Sequence, residues 1–220
     1  MKTGLLVLAI IAACLVLCTL QVKAQTKPST ELPKYEVGAD FTTFTINGNQ
    51  VELGAGGRFT YNLNKSFAVE AAGYFSPGTC DSCPGQVTGR IAEGLFGVKA
   101  GKRFSKVGIF AKARPGFMTV GKGYFDYLLN SGGFVTFVPH RTTPFALDLG
   151  GVFEFYPSKK VVLRADIGDT ILRYTRHSFI GFNVDPVTFA LTQAQRNQPA
   201  FTTHNTQFIL GLGLDFRLLR

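Results

Sequence analysis

A two-residue alternation of apolar and polar side chains runs through almost all of this chain beyond residue 34, and no other feature restricts the fold as much. The clearest stretch is Gln50-Val51-Glu52-Leu53-Gly54-Ala55-Gly56-Gly57-Arg58-Phe59-Thr60-Tyr61. Val51, Leu53, Ala55, Phe59 and Tyr61 fall on one side; Gln50, Glu52, Arg58 and Thr60 fall on the other. Successive strand side chains point to opposite faces, so this is a strand with one apolar and one polar face. Eight such segments are expected, at 35–45, 49–62, 65–75, 89–104, 106–121, 143–156, 160–174 and 203–218. Strands of soluble proteins average about 5–6 residues, whereas about 9–11 suffice to cross a bilayer at a tilt. No segment beyond the N-terminus has a convincing helical period.

The polar faces mix both signs of charge. They carry Glu52, Arg58, Glu70, Glu93, Lys99, Lys112, Arg114, Asp148, Glu154, Arg164, Asp166, Asp215 and Arg217, with glycines between them. The apolar faces carry Phe59, Tyr61, Phe67, Phe75, Phe96, Phe117, Phe145, Phe153, Phe155, Phe208 and Phe216. Several of these rings lie near strand ends, where an interfacial girdle belongs, built here from Phe and Tyr because the chain has no Trp. Only 17% of the 220 residues are charged, which excludes a highly charged disordered chain and argues against a coiled coil.

The N-terminus reads as a targeting segment. Lys2 precedes an apolar run from Gly4 to Leu20, and Val22-Lys23-Ala24 offers a small residue for cleavage before Gln25. That is the pattern of a secretory signal peptide. A competing lipoprotein reading rests on Ile11-Ala12-Ala13-Cys14, but cleavage there would leave apolar Leu15-Val16-Leu17 behind an acylated cysteine. The organisation expected is a signal peptide over 1–24, a short periplasmic segment over 25–34 and a barrel domain over 35–220. Removal of Lys2 and Lys23 lowers the net charge from +9 to +7. Cys80 and Cys83 then remain, in Thr79-Cys80-Asp81-Ser82-Cys83-Pro84. A disulfide stapling a loop of an exported protein fits this pair. A redox pair would open a helix in a βαβ unit, and a zinc site would need two further ligands nearby.

Alternation alone does not decide which face points inward, since a lipocalin-like binder also has one apolar face. The connections decide it. Those after strands two, four and six are short, at Asn62–Lys65, Phe104–Lys106 and Pro157–Lys159, while 76–88, 122–142 and 175–202 are long. Short turns on one rim and long loops on the other, with a mixed-charge face, describe a membrane barrel with a polar interior. The expected fold is therefore all-β, an eight-stranded antiparallel up-and-down transmembrane β-barrel. Lipid offers the backbone no partners, so the sheet must close. Eight strands leave room only for side chains, so the luminal charges pair and plug the lumen.

The final stretch, Thr203-His204-Asn205-Thr206-Gln207-Phe208-Ile209-Leu210-Gly211-Leu212-Gly213-Leu214-Asp215-Phe216-Arg217-Leu218, resembles the C-terminal recognition strand of bacterial outer-membrane β-barrels. Its last aromatic, Phe216, is followed by four more residues. Gly94–Phe104 and Leu163–Thr170 resemble strands of the eight-stranded barrels shared by OmpA-like and OmpX-like proteins. The resemblance implies an outer-membrane location and recognition of the last strand by the barrel assembly machinery. Outer-membrane lipid and lipopolysaccharide would surround the barrel.

Catalytic candidates are weak. The mature chain has three histidines, His140, His177 and His204, all expected at the extracellular rim. Outer-membrane lipid A acyltransferases and deacylases use His and Ser near the outer leaflet, and His177-Ser178 or Asp81-Ser82 would have to take that part. The spacings match no such pattern, so three solvated loop residues are expected, with no cofactor, metal or nucleic-acid partner. Lys122, Arg141, Arg173 and Arg176 form a candidate rim for lipopolysaccharide phosphates. Loop three is apolar at Tyr124–Leu129 and Phe134–Val138, which predicts a protruding hairpin turning at Asn130-Ser131-Gly132-Gly133, packed on loop four, touching outer-leaflet lipid, or open to an unknown surface partner. Two functions follow: a non-enzymatic barrel that stabilises the envelope or presents loops, and an outer-leaflet lipid-modifying enzyme. Passage of small apolar solutes is disfavoured by the charged lumen.

Overall fold

The computed structural model describes residues 33–46, 50–78, 89–130 and 134–216. The signal segment, Cys80, Cys83, Asp81-Ser82, the turn residues 131–133 and Arg217 lie outside the described residues. The barrel strands are β1 (Tyr35–Ile46), β2 (Gln50–Asn62), β3 (Phe67–Ser76), β4 (Ile91–Arg103), β5 (Val107–Leu129), β7 (Phe145–Phe155), β8 (Val161–Tyr174) and β11 (Phe201–Phe216). Three further strands, β6 (Val135–Thr142), β9 (His177–Val184) and β10 (Leu191–Gln198), stand on the long-loop side.

Each barrel strand pairs antiparallel with its neighbours, and β1 closes on β11 from Tyr35↔Phe216 to Phe44↔Gln207. The result is a closed eight-stranded antiparallel barrel, as the alternation predicts. Parity is conserved around the ring. On β1, Glu36, Asp40, Thr42 and Phe44 are buried, while Phe41 between them is 68% exposed. On β4, Glu93, Leu95 and Lys99 are buried while Phe96 is 62% exposed. Burial with one period and exposure with the other make a wall that is apolar outside and ionic inside, the reverse of a soluble barrel.

The inward face is not wholly polar, however. Toward the long loops it carries a packed apolar cluster of Phe44, Tyr74, Ile91, Leu95, Met118, Val120, Leu172 and Ile209. These residues share the parity of the charged set, yet they look in isolation like lipid-facing ones.

The loops carry more structure than the alternation foretells. β5 outgrows the barrel and pairs above it with β6, through a register shift between Val120 and Tyr124. This is the expected loop-three hairpin. Loop four forms the β9–β10 hairpin, paired from Leu191↔Val184 to Gln198↔His177. Its tip is a tight turn: Asp185 N donates to Ala190 O at 2.9 Å, and Phe189 adopts a left-handed φ of 55°. Few hydrophobic residues mark β10, Leu191-Thr192-Gln193-Ala194-Gln195-Arg196-Asn197-Gln198, so its sequence carries almost no apolar alternation.

Close approach of neighbouring strands requires glycine at Gly97. A methyl there would press on the Ala113 carbonyl oxygen and come within 2.6 Å of Arg114 Cα. Gly73 faces outward, and a methyl there would meet nothing nearer than Glu93 O at 3.8 Å. Gly97→Ala should therefore lower the temperature at which the SDS-resistant folded form converts on gels. Gly73→Ala should leave that temperature unchanged or raise it slightly, because glycine weakens a strand interior.

Candidate functional site

Two regions carry chemistry: the ionic interior and the long-loop rim. In the interior, Arg164 reaches across from β8 to Glu70 on β3, and its Nε also donates to Asp166 Oδ1 at 2.6 Å. Arg114 donates to Asp148 at 2.8 and 2.5 Å and to Glu70 at 3.3 Å. Lys112 lies 3.0 Å from Asp148 and 3.2 Å from Asp166. Lys99 contacts Glu70 at 3.3 Å and pairs with Glu154. Eight ionic groups from β3, β4, β5, β7 and β8, Glu70 and Asp166 among them, thus converge in the interior.

A second group lies beside β1. Arg58 pairs with Asp40 and donates to Glu36 at 2.7 Å, and Tyr74 Oη donates to Asp40 at 3.3 Å. Toward the short turns, Arg103 reaches Glu154 at 3.3 Å and Tyr156 Oη donates to the same carboxylate at 2.5 Å. Glu93 takes its bond from the Gln207 amide at 2.9 Å, and Gln207 in turn donates to Thr42 and accepts from Thr170. Glu52 is buried on the same face, and Asp215 stands opposite Glu36 in the β1–β11 register.

Glu36, Asp40 and Arg103 were not singled out in the sequence. The first two alternate with outward Val37, Ala39 and Phe41, so parity alone marks them. Inward glycines make the space. A methyl at Gly213 would lie 2.5 Å from Glu36 Oε1 and 2.9 Å from Arg58 Nη2.

At the long-loop rim the histidines are engaged rather than free in water. Tyr124 is stacked between His140, with centroids at 4.8 Å, and His177, at 4.3 Å. His140 Nε2 lies 2.9 Å from Asp126, whose other oxygen accepts from Ile180 N at 2.7 Å. Tyr127 meets Phe182 edge-on at 6.1 Å. The loop-three hairpin therefore packs on loop four. His204 is paired with Asp169 at 2.6 Å on the outward face of the wall, with side chains 67% and 42% exposed. Ser178 donates to Asn197 at 2.8 Å instead of to a histidine, so His177-Ser178 is not a nucleophile–base pair. At the β9–β10 tip, backbone N–H groups of Thr188 and Val187 lower the Asp185 carboxyl pKa.

The four rim cations are placed separately. Arg173 projects outward from the end of β8 and donates to Thr202 at 2.9 Å. Arg141 lines a recess of about 240 Å³ with Tyr124, Tyr174 and His177. Arg176 is exposed in the link before β9, and Lys122 is half-buried where the β5–β6 register shifts. Among the described residues no group of three or more His, Cys, Asp or Glu side chains is arranged to hold a metal ion.

No family model and no curated protein matches the sequence. Among solved structures, Neisserial surface protein A (NspA) matches with a TM-score of 0.50 at 13% identity, over 83% of this chain and 97% of that one. The fold is that of the eight-stranded outer-membrane β-barrels. The N-terminal β-barrel domain of Pseudomonas aeruginosa OprF matches at 12% identity with a TM-score of 0.45, over 82% of this chain and 97% of that one. Ail, the attachment invasion locus protein of Yersinia pestis, matches at 13% identity with a TM-score of 0.41, over 83% of this chain and 96% of that one.

Arg164 is paired with both Glu70 and Asp166, and its side chain is almost fully shielded. Removing one partner of a buried ion group strands the others without compensation. Arg164→Met should cost about 3 kcal/mol or more in urea unfolding of the reconstituted barrel. Arg173→Met, at the exposed rim, should change the same midpoint by no more than about 0.5 kcal/mol.

Proposed function

We propose that this chain is an integral barrel of the bacterial outer membrane, exported by its N-terminal signal, that stabilises the envelope and displays its loops outward. The single observation that carries the reading is the inverted wall. Phe41, Leu53, Phe96, Ile109, Ile167 and Leu212 point out while Glu70, Lys99, Arg114 and Asp148 are buried inside. Such a surface is stable in lipid and would aggregate in water.

The interior serves as a plug. Ion pairs fill its short-turn half and middle, and the apolar cluster around Phe44, Leu95 and Met118 lies above them. An eight-stranded barrel has just enough width for that filling. The long-loop rim faces lipopolysaccharide. Arg141, Arg173, Arg176 and Lys122 supply cations for its phosphates, and guanidinium groups bind phosphate bidentately. The Asp169–His204 pair and Thr206 mark where the apolar wall gives way to headgroups. The final strand serves as the address for barrel assembly, and Cys80 and Cys83 form a disulfide in loop two. A structural or surface-interaction role is favoured over lipid A modification by the engagement of Ser178 with Asn197. NspA, the matched barrel, is named as a surface protein.

Four measurements test this. Membrane-extracted protein should migrate differently on SDS gels unheated and boiled; a water-soluble protein with no shift would recast the chain as a lipocalin-like binder. Planar bilayers should show no steady conductance of porin size, and such a conductance would refute the plug. Lipid A mass profiles should be identical with and without the gene, a changed profile sinking the non-enzymatic role. Arg141→Ala combined with Arg173→Ala and Arg176→Ala should reduce co-purified lipopolysaccharide several-fold and weaken envelope integrity.

A further inference from the structure

The exposed cations divide by type between the two rims. On the long-loop side, among the described residues, the exposed ones are arginines: Arg90, Arg141, Arg173, Arg176 and Arg196, Lys122 being half-buried. On the short-turn side among the described residues every exposed cation is a lysine: Lys34, Lys65, Lys102, Lys106, Lys159 and Lys160. The described acids at this end, Glu36, Glu154 and Asp215, face inward.

The topology spreads these lysines around the circumference. Lys34 precedes β1, Lys65 lies in the β2–β3 turn, Lys102 and Lys106 flank the β4–β5 turn, and Lys159 and Lys160 occupy the β7–β8 turn. Every short-turn corner of the ring carries at least one. The backbone at three of them is held by interstrand bonds. Lys34 O accepts from Asn62 N at 2.9 Å, Lys106 O from Tyr156 N at 2.9 Å, and Lys160 O from Asp215 N at 2.8 Å. Two ammonium groups lie over girdle rings, Lys34 at 5.9 Å from the Tyr61 centroid and Lys102 at 5.5 Å from that of Phe104.

We propose that this lysine collar binds the anionic phospholipid headgroups of the leaflet around the short-turn rim. The inference rests on the reading of the wall as lipid-embedded. A ring at the level of the aromatic girdle meets lipid on all sides, whereas a partner below the barrel would meet one patch. Lysine fits this place, since its apolar stem lies along the girdle while its charge reaches the headgroup layer. The bare ammonium is a compact charge that suits mobile phosphodiesters.

The test uses the full-length mature protein in nanodiscs of equal phosphatidylcholine and phosphatidylglycerol, read by native mass spectrometry of the lipids retained after detergent release. The wild type should retain phosphatidylglycerol several-fold over phosphatidylcholine, and the preference should shrink with added salt. Lys65→Gln, Lys102→Gln, Lys106→Gln and Lys160→Gln combined should bring the ratio close to one, while the same four positions changed to Arg should keep it. Arg141→Gln with Arg173→Gln and Arg176→Gln should leave it as in the wild type. The proposal is overturned if the wild type shows no preference, or if the glutamine variant keeps it. It also falls if the ratio follows the arginine rim, or if the lysines instead govern sedimentation with purified peptidoglycan while the lipid ratio stays constant. The heat-dependent gel shift of each variant reports folding. Its absence from the wild type would overturn the lipid-embedded reading, whereas its presence with an unchanged lipid ratio overturns the collar alone.

Discussion

The buried ion cluster around Glu70, Arg114, Arg164 and Asp166 is the interaction on which the rest of this barrel depends. Its members come from strands far apart in sequence: Arg164 and Glu70 are 94 residues apart and face each other across the interior. No charge in such a place is stable alone, and each needs its partners held at hydrogen-bond distance. That requirement sets the register, because a slip of one residue would send every ion to the outer face. It also sets where glycine must stand, since long side chains crossing the lumen need wall positions without a Cβ, as at Gly213 and Gly211.

Much of this architecture was legible in the sequence because parity is a local property. The eight strands begin and end within about two residues of where the alternation places them, except that β5 runs on past the rim to Leu129. What stayed illegible was non-local. Alternation puts Arg164 and Glu70 on inward faces but cannot say that they meet. The inward cluster of Phe44, Ile91, Leu95 and Met118 is illegible for a related reason: its residues are apolar, and in a membrane barrel hydrophobicity marks the outer face. Only their numbering parity gives them away. The β9–β10 hairpin was missed because neither face of Leu191–Gln198 is buried, so selection for a core leaves no period in it.

The loops obey a different constraint from the wall. Above the barrel there is no lipid to enforce alternation, and the superstructure is held by a few specific contacts. Asp126 is the hinge of that arrangement, accepting from both His140 and the backbone of Ile180. Tyr124 between two imidazoles makes a stacked three-ring column at the same level. Loop three and loop four thereby become one body, with His140 and His177 held against the Tyr124 ring, while His204 stays largely exposed beside Asp169.

The division of labour follows from these two regimes. Wall and lumen are over-determined: parity, closure, ion pairing and lipid all demand the same register, so their chemistry says only that the chain is a barrel. The β9–β10 tip is under-determined by comparison. It spends a left-handed conformation on Phe189, which costs a bulky residue on the order of 1–2 kcal/mol, and leaves that ring and Val187 facing solvent. Nothing in the barrel requires that strain, and the bonds that the Asp185 carboxylate accepts from Val187 N and Thr188 N lie wholly within the turn. Fold therefore accounts for everything up to the rim, and what distinguishes this barrel from others of its architecture must be sought in the loops above it.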